Sequence, residues 1–128
     1  MEDSILYYVK DAAGVNIGDD AFDGELILHI NTAFMTLRQL GVGPETPFTI
    51  EDDGATWDEF SVDASILPMV KSYIALKVRI LFDPPASSVF MNALQDSIRE
   101  YEWRLNIEAD KYKVEEDEYY ANRVNSNR

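Results

Sequence analysis

Carboxylates are the most abundant reactive groups in this chain, and they cluster around one turn. Glu51, Asp52, Asp53 and Gly54 run together, and Asp58 and Glu59 follow within one helical turn of Gly54. Acids grouped about a glycine are the raw material of a calcium loop. If Gly54 is taken as the turn glycine of an EF-hand, the first ligand position falls on Thr49 and the twelfth on Phe60. Phe60 carries no oxygen, so the template fails. Asp52, Asp53, Asp58 and Glu59 remain a loose cation candidate, weighed against the stronger expectation of a solvated acidic loop. His29 is the only histidine. It stands one residue before Ile30, inside an apolar-periodic stretch, and reads as a partly buried structural side chain. A general base would need an orienting partner and a pocket. There is no nucleophile elbow, no glycine-rich phosphate loop and no Cys/His cluster. The chain has no cysteine, which excludes disulfides and thiolate metal sites. The expectation is a protein that is not an enzyme, with no catalytic residue, no cofactor and no metal.

The elements that would have to position such groups are helical. With 128 residues and 46% hydrophobic content, the chain suits one domain with a modest core. The start, MEDSILYYVK, reads as no signal peptide, and no stretch approaches the length of a membrane span. Charge is distributed unevenly. Residues 1–63 hold 14 acids against Lys10 and Arg38, whereas residues 64–112 hold six acids and six bases. The net charge is −13. A field of that sign repels phosphate and argues against nonspecific nucleic-acid binding. It serves as a solubilising surface, or as one that meets basic partners.

Periodicity predicts a short helix over about 3–12, with Ile5, Tyr8, Val9 and Ala12 on one face. A second helix is predicted from about Asp20 to Leu40. Its stripe is Phe22, Leu26, Ile30, Ala33, Leu37 and Leu40. Asp19 or Asp20 is the expected cap, and Gly41 stands where a left-handed C-terminal residue belongs. A third runs from about Ala64 to Phe82, capped by Asp63 or Ser65, with Pro68 tolerated in its first turn. It is apolar around most of its circumference and should be central. The fourth and longest runs from about Ser88 to Tyr112, with a stripe of Phe90, Leu94, Ile98, Tyr101, Leu105, Ala109 and Tyr112. Met91 and Trp103 lie off that stripe. They are candidates either for further core or for a subunit contact.

Two stretches are irregular. Residues 41–62 combine glycines and prolines with Phe48, Ile50, Trp57 and Phe60. They predict a loop that packs back on the helices, with one short strand and a helical turn near 57–61. Residues 113–128 lose the periodicity and read as a flexible C-terminal tail carrying Tyr119, Tyr120 and Arg123. Between the third and fourth helices stands ILFDPPASS, residues 80–88. Pro84 disfavours helical geometry at Asp83, and Pro85 does the same at Pro84. The break is rigid and sets the angle between the two helices.

The words FDGELILHINTAFMTLRQLGVGP at 22–44, TWDEF at 56–60, VKSYIALKVRILFDPPASS at 70–88 and LQDSIREYEWRLN at 94–106 occur in that order. Together they resemble the head–tail connector, or head completion adaptor, proteins of tailed bacteriophages. The LFDPP break followed by the EWRLN helix carries most of the resemblance. It implies an all-α subunit, a small bundle of about four helices over 1–112. It also implies a virion protein, assembled in the host bacterial cytoplasm, that forms a ring under the portal. That ring, twelve-fold in the virion, would let DNA pass between capsid and tail without specific binding. Its partners would be the portal protein, further copies of itself and the next head-completion or tail-terminator protein, with no membrane.

By that resemblance Tyr119, Tyr120 and Arg123 become candidate portal-binding residues. Met91, Trp103, Phe48 and Trp57 become subunit-interface candidates, and Asp83, Pro84 and Pro85 the inter-helix break that sets the repeating unit. The alternative is an acidic DNA mimic, or host-inhibitory phage protein, that presents its negative half to a basic enzyme surface. A mimic needs an ordered array of carboxylates on one rigid face, whereas many of these acids fall in loops and caps.

Overall fold

In the computed structural model the described residues are 3–126, with side chains described for 3–111. Five helices follow in order: α1 (Ile5–Ala12), α2 (Asp23–Gln39), the single turn α3 (Trp57–Phe60), α4 (Leu67–Phe82) and α5 (Ser88–Ser126). The described residues form no strand. One isolated antiparallel bridge joins Ser4 to Thr56.

α4 is central, as its apolar circumference predicts. It packs against α1, α2 and α5. Val70, Tyr73, Ile74 and Val78 are fully buried along it. On α2 the stripe Leu26, Ile30, Ala33 and Leu37 is buried, and on α5 Ile98 and Leu105 close the other side. Burying a side chain of this size is worth about 1.5–3 kcal/mol. Tyr73 locks the layers together. Its hydroxyl donates to Glu102 Oε2 of α5 at 2.8 Å and is hydrogen-bonded to Thr36 of α2. Burial, reinforced by the Glu102 carboxylate, pushes the Tyr73 hydroxyl pKa well above the usual phenol value.

Helix boundaries depart from the expected caps. Neither Asp19 nor Asp20 caps α2. Its first residue follows Phe22, and no side chain caps it. Asp19 Oδ1 instead accepts from the Ala21 amide at 3.0 Å, a local turn that delays the helix. Asp63 and Ser65 likewise form a turn, and α4 begins at Leu67 after Ile66. Pro68 falls in the first turn, where its missing amide costs nothing. At the other end of α2 the expectation holds. Gly41 has φ +86, its amide donates to Arg38 O at 3.0 Å, and the Val42 amide donates to Leu37 O at 2.9 Å. That is a Schellman closure, with Val42 packed into the core.

The 41–62 segment does pack back. Phe48 is half-buried, and Ile50, Trp57 and Phe60 are buried. Its expected strand is absent for an identifiable reason. The Ile50 amide donates to Asn31 Oδ1 at 2.8 Å, and Asn31 Nδ2 donates to Ile50 O at 3.0 Å. One α2 side chain thus supplies what a neighbouring strand would have supplied. Phe34, Phe48 and Phe60 stack with centroids 4.8–5.3 Å apart. Gly43 sits against this cluster with φ +97, and a Cβ there would lie 2.6 Å from Phe60 Cε2. Gly43→Ala is expected to destabilise the subunit by about 2–3 kcal/mol, from left-handed strain plus overpacking. A urea titration checks this, and an unchanged midpoint would contradict the contact.

α5 is longer than the periodicity indicates. Its backbone stays helical to Ser126, 39 residues in all. Residues 113–126 contain no glycine or proline and several good helix formers, so nothing local stops the helix even where its apolar stripe has ended.

Candidate functional site

The acidic loop is built as structure. The Asp53 carbonyl accepts from Ser4 Oγ at 2.8 Å, and Asp53 Oδ2 accepts from the Tyr7 hydroxyl at 2.7 Å. That bond is the main cause of a raised Tyr7 pKa. Asp52 Oδ1 accepts from the Gly54 amide at 2.8 Å. Glu59 Oε1 accepts from Thr56 Oγ1 at 3.5 Å, across the first turn of α3. Asp58 is exposed. Among the described residues, no three His, Cys, Asp or Glu side chains gather around one point. His29 is half-buried on α2, with Nε2 3.5 Å from Glu25 Oε1.

A polar centre that sequence reasoning missed lies beneath α1. Lys10 is 1% exposed. Its Nζ donates to the carbonyls of Ile17 at 3.0 Å and Asp19 at 2.7 Å, and it pairs with Asp23 Oδ1 at 2.7 Å. The ammonium therefore ties the end of α1, the 13–22 loop and the start of α2 into one unit. The signal was present. Lys10 follows Leu6 by four residues and so shares its face of α1, but a lysine on a helix is ordinarily assigned to solvent. The buried face of α1 is accordingly Ile5, Leu6, Val9 and Lys10, and Ala12 is exposed.

The central helix ends where the sequence places the break. α4 ends at Phe82, and Asp83 adopts φ −142, ψ 70 while its amide donates to Arg79 O at 2.9 Å. The Phe82 ring meets Phe22 edge-on at 5.5 Å, fastening the end of α4 to the start of α2. Pro85 is half-buried. With Leu76, Arg79, Phe90, Ala93 and Leu94 it lines a groove of about 440 Å³ between α4 and α5. The helices then run back along each other as an αα-hairpin, pinned by the Tyr73–Glu102 bond.

The interface candidates separate by burial. Trp57 is 2% exposed and lies within the chain's own core, its ring 5.6 Å from Tyr8 and beneath the Lys71 ammonium. A ring so enclosed has no free face for a neighbour. Phe48 is mostly taken up by Phe34 and Phe60. Met91 is half-buried. Trp103 is 64% exposed, and Ile107, one turn further on, is 44% exposed. Val89, Phe90 and Leu81 are exposed near the break. Leu28 and Met35 are exposed on α2, a surface that went unremarked because both fall off its core stripe. The side chains of Tyr119, Tyr120 and Arg123 lie outside the described residues.

The described residues thus form an all-α subunit that closes its core faces and leaves large apolar side chains on its outer faces. Comparison with known proteins gives the family. A family model described as "Phage connector protein" matches residues 5–112. The chain belongs to the phage connector protein family, whose members are structural components of the bacteriophage virion. No curated protein and no solved structure matches it. No helix among the described residues is long and apolar enough to cross a membrane.

Proposed function

We propose that this chain is the head–tail adaptor that closes a ring beneath the portal and leaves a channel for DNA between capsid and tail. Within a connector family this reading is supported chiefly by Trp103, 64% exposed on the outer face of a long helix. The acidic surface suits a channel wall that must not grip phosphate. The mimic reading fares less well. Asp23, Asp52, Asp53 and Glu59 are engaged by neighbouring donors and form no single exposed array. The experiment is direct. Purified chain is mixed with portal-bearing heads that lack it, and the particles are imaged. Added ring density beneath the portal supports the reading, and bare portals at saturating protein refute it.

Residues 113–128, with Tyr119, Tyr120 and Arg123, are proposed to hold the portal. Truncation after Tyr112 is expected to leave the thermal midpoint nearly unchanged and to weaken attachment to heads. Undiminished attachment of the truncated chain would remove this role.

The break is proposed to set the angle on which closure depends. A heterologous contact closes only if its rotation is right, so a small error repeats at every subunit. Replacing Pro84 and Pro85 together by alanine is expected to cost the monomer about 1 kcal/mol or less, since neither fills the core. The same change is expected to give open or irregular arcs on heads. Complete, regular rings from that variant would count against a geometric role.

A further inference from the structure

α2 and α5 each turn a core stripe toward α4, so each keeps a second face turned away from it. Both faces carry unpaired apolar side chains. On α2, Gly24, Leu28, Thr32, Met35 and Gln39 form an uncharged outer stripe, with Leu28 and Met35 each 64% exposed. An uncharged face is unexpected in a half-chain with 14 acids and two bases. Beside it a groove of about 470 Å³ opens between α2 and the 47–49 segment, floored by Phe34 and Phe48. On α5 the outer pair is Trp103 and Ile107.

The charges around the two faces differ. Glu25, Glu45 and Glu51 are exposed on α2 and the segment that follows it, and among the described residues 3–63 Arg38 is the only exposed base, its Nε bonded to Glu45 O. The α5 face is flanked by Arg99, Arg104 and Lys111 along with Asp96, Glu100 and Asp110. Two of those bases are held in exposed intrahelical pairs, Arg99–Asp96 at 3.6 Å and Arg104–Glu100 at 2.7 Å. Such pairs are worth little and exchange partners readily. Pairing two α2 faces would set acid against acid. Pairing α2 with α5 instead sets a charge-balanced face, whose bases can turn to the acids, against the acidic one and a tryptophan opposite an apolar groove.

We propose that the outward face of α2, centred on Leu28 and Met35, seats the Trp103–Ile107 face of α5 from a second copy of this chain. The proposal rests on the ring reading and names its contact. Two different faces on one subunit are what a head-to-tail ring requires.

The absence of cysteine makes the test clean. Met35→Cys and Ile107→Cys are made singly and together in the full chain, and a short bis-maleimide is added after loading onto portal-bearing heads. Both positions are solvent-facing, so folding should be unaffected, which circular dichroism checks. The expected result is a dimer band only when the two single variants are mixed, and a ladder from the double variant. A dimer from either single variant alone would mean a symmetric contact and overturn the proposal. So would rings in the micrographs with no cross-link, or linkage only to the portal or another virion protein. Heads that gain no ring from the unsubstituted chain would sink the ring reading, and this contact with it.

Discussion

Lys10→Ala is expected to lower the stability of the subunit by about 3 kcal/mol, the low end for breaking a buried ion pair from one side. The direction follows from what stays behind. The carbonyls of Ile17 and Asp19 lose their donor, and the Asp23 carboxylate loses its counter-charge. Asp23 retains 31% exposure, so water recovers part of its solvation, which is why the low end applies. Lys10 also fills volume, and alanine would leave a gap under α1 next to Leu6 and Val9. A urea titration should show the midpoint falling by about 1–2 M for a domain of this size. Lys10→Met, which keeps much of the volume and removes the charge, should recover some of the loss but not all of it. A midpoint unmoved by either change would mean that the ammonium is hydrated rather than enclosed.

Lys10 also marks where the sequence stops being legible. Regular periodicity located α2, α4 and α5, because a stripe at i, i+3, i+4 has only one efficient way to be buried. Leu26, Ile30, Ala33 and Leu37 are buried as that rule requires. The rule weakens at helix ends, where the partner helix runs out. Phe90 heads the α5 stripe but is 69% exposed, and Phe22 heads the α2 stripe but is 43% exposed. Caps were harder to read, since an aspartate before a helix can close a turn of its own, as Asp19 and Asp63 do. Tertiary contacts between distant residues were not readable at all. Nothing local says that Asn31 will bond to Ile50, or that Ser4 will bridge to Thr56. The candidate site was half legible. Trp103 stood out as a tryptophan off its stripe, and Trp57 as a tryptophan in the irregular 41–62 segment. Their fates differ because α3 folds Trp57 under α1 while α5 carries Trp103 away from α4.

That contrast gives the largest functional effect. Trp103→Ala is expected to move the thermal midpoint of the free subunit by about 2 °C or less, as befits a solvent-facing position. On heads the same change should be severe. A central tryptophan in a contact is commonly worth about 2 kcal/mol or more, roughly thirtyfold in association at each step. A closed ring repeats that loss at every interface, so completion should fail well before the monomer is affected. Leu105 supplies the internal control. It lies two residues away on the same helix, fully buried against α4. Leu105→Ala should cost about 2–5 kcal/mol of folding stability and lower the midpoint first. The two variants therefore separate stability from assembly on a single helix. If Trp103→Ala destabilised the subunit as much as Leu105→Ala and yet filled every portal, α5 would be wholly a core helix, and the assembly surface would have to lie elsewhere.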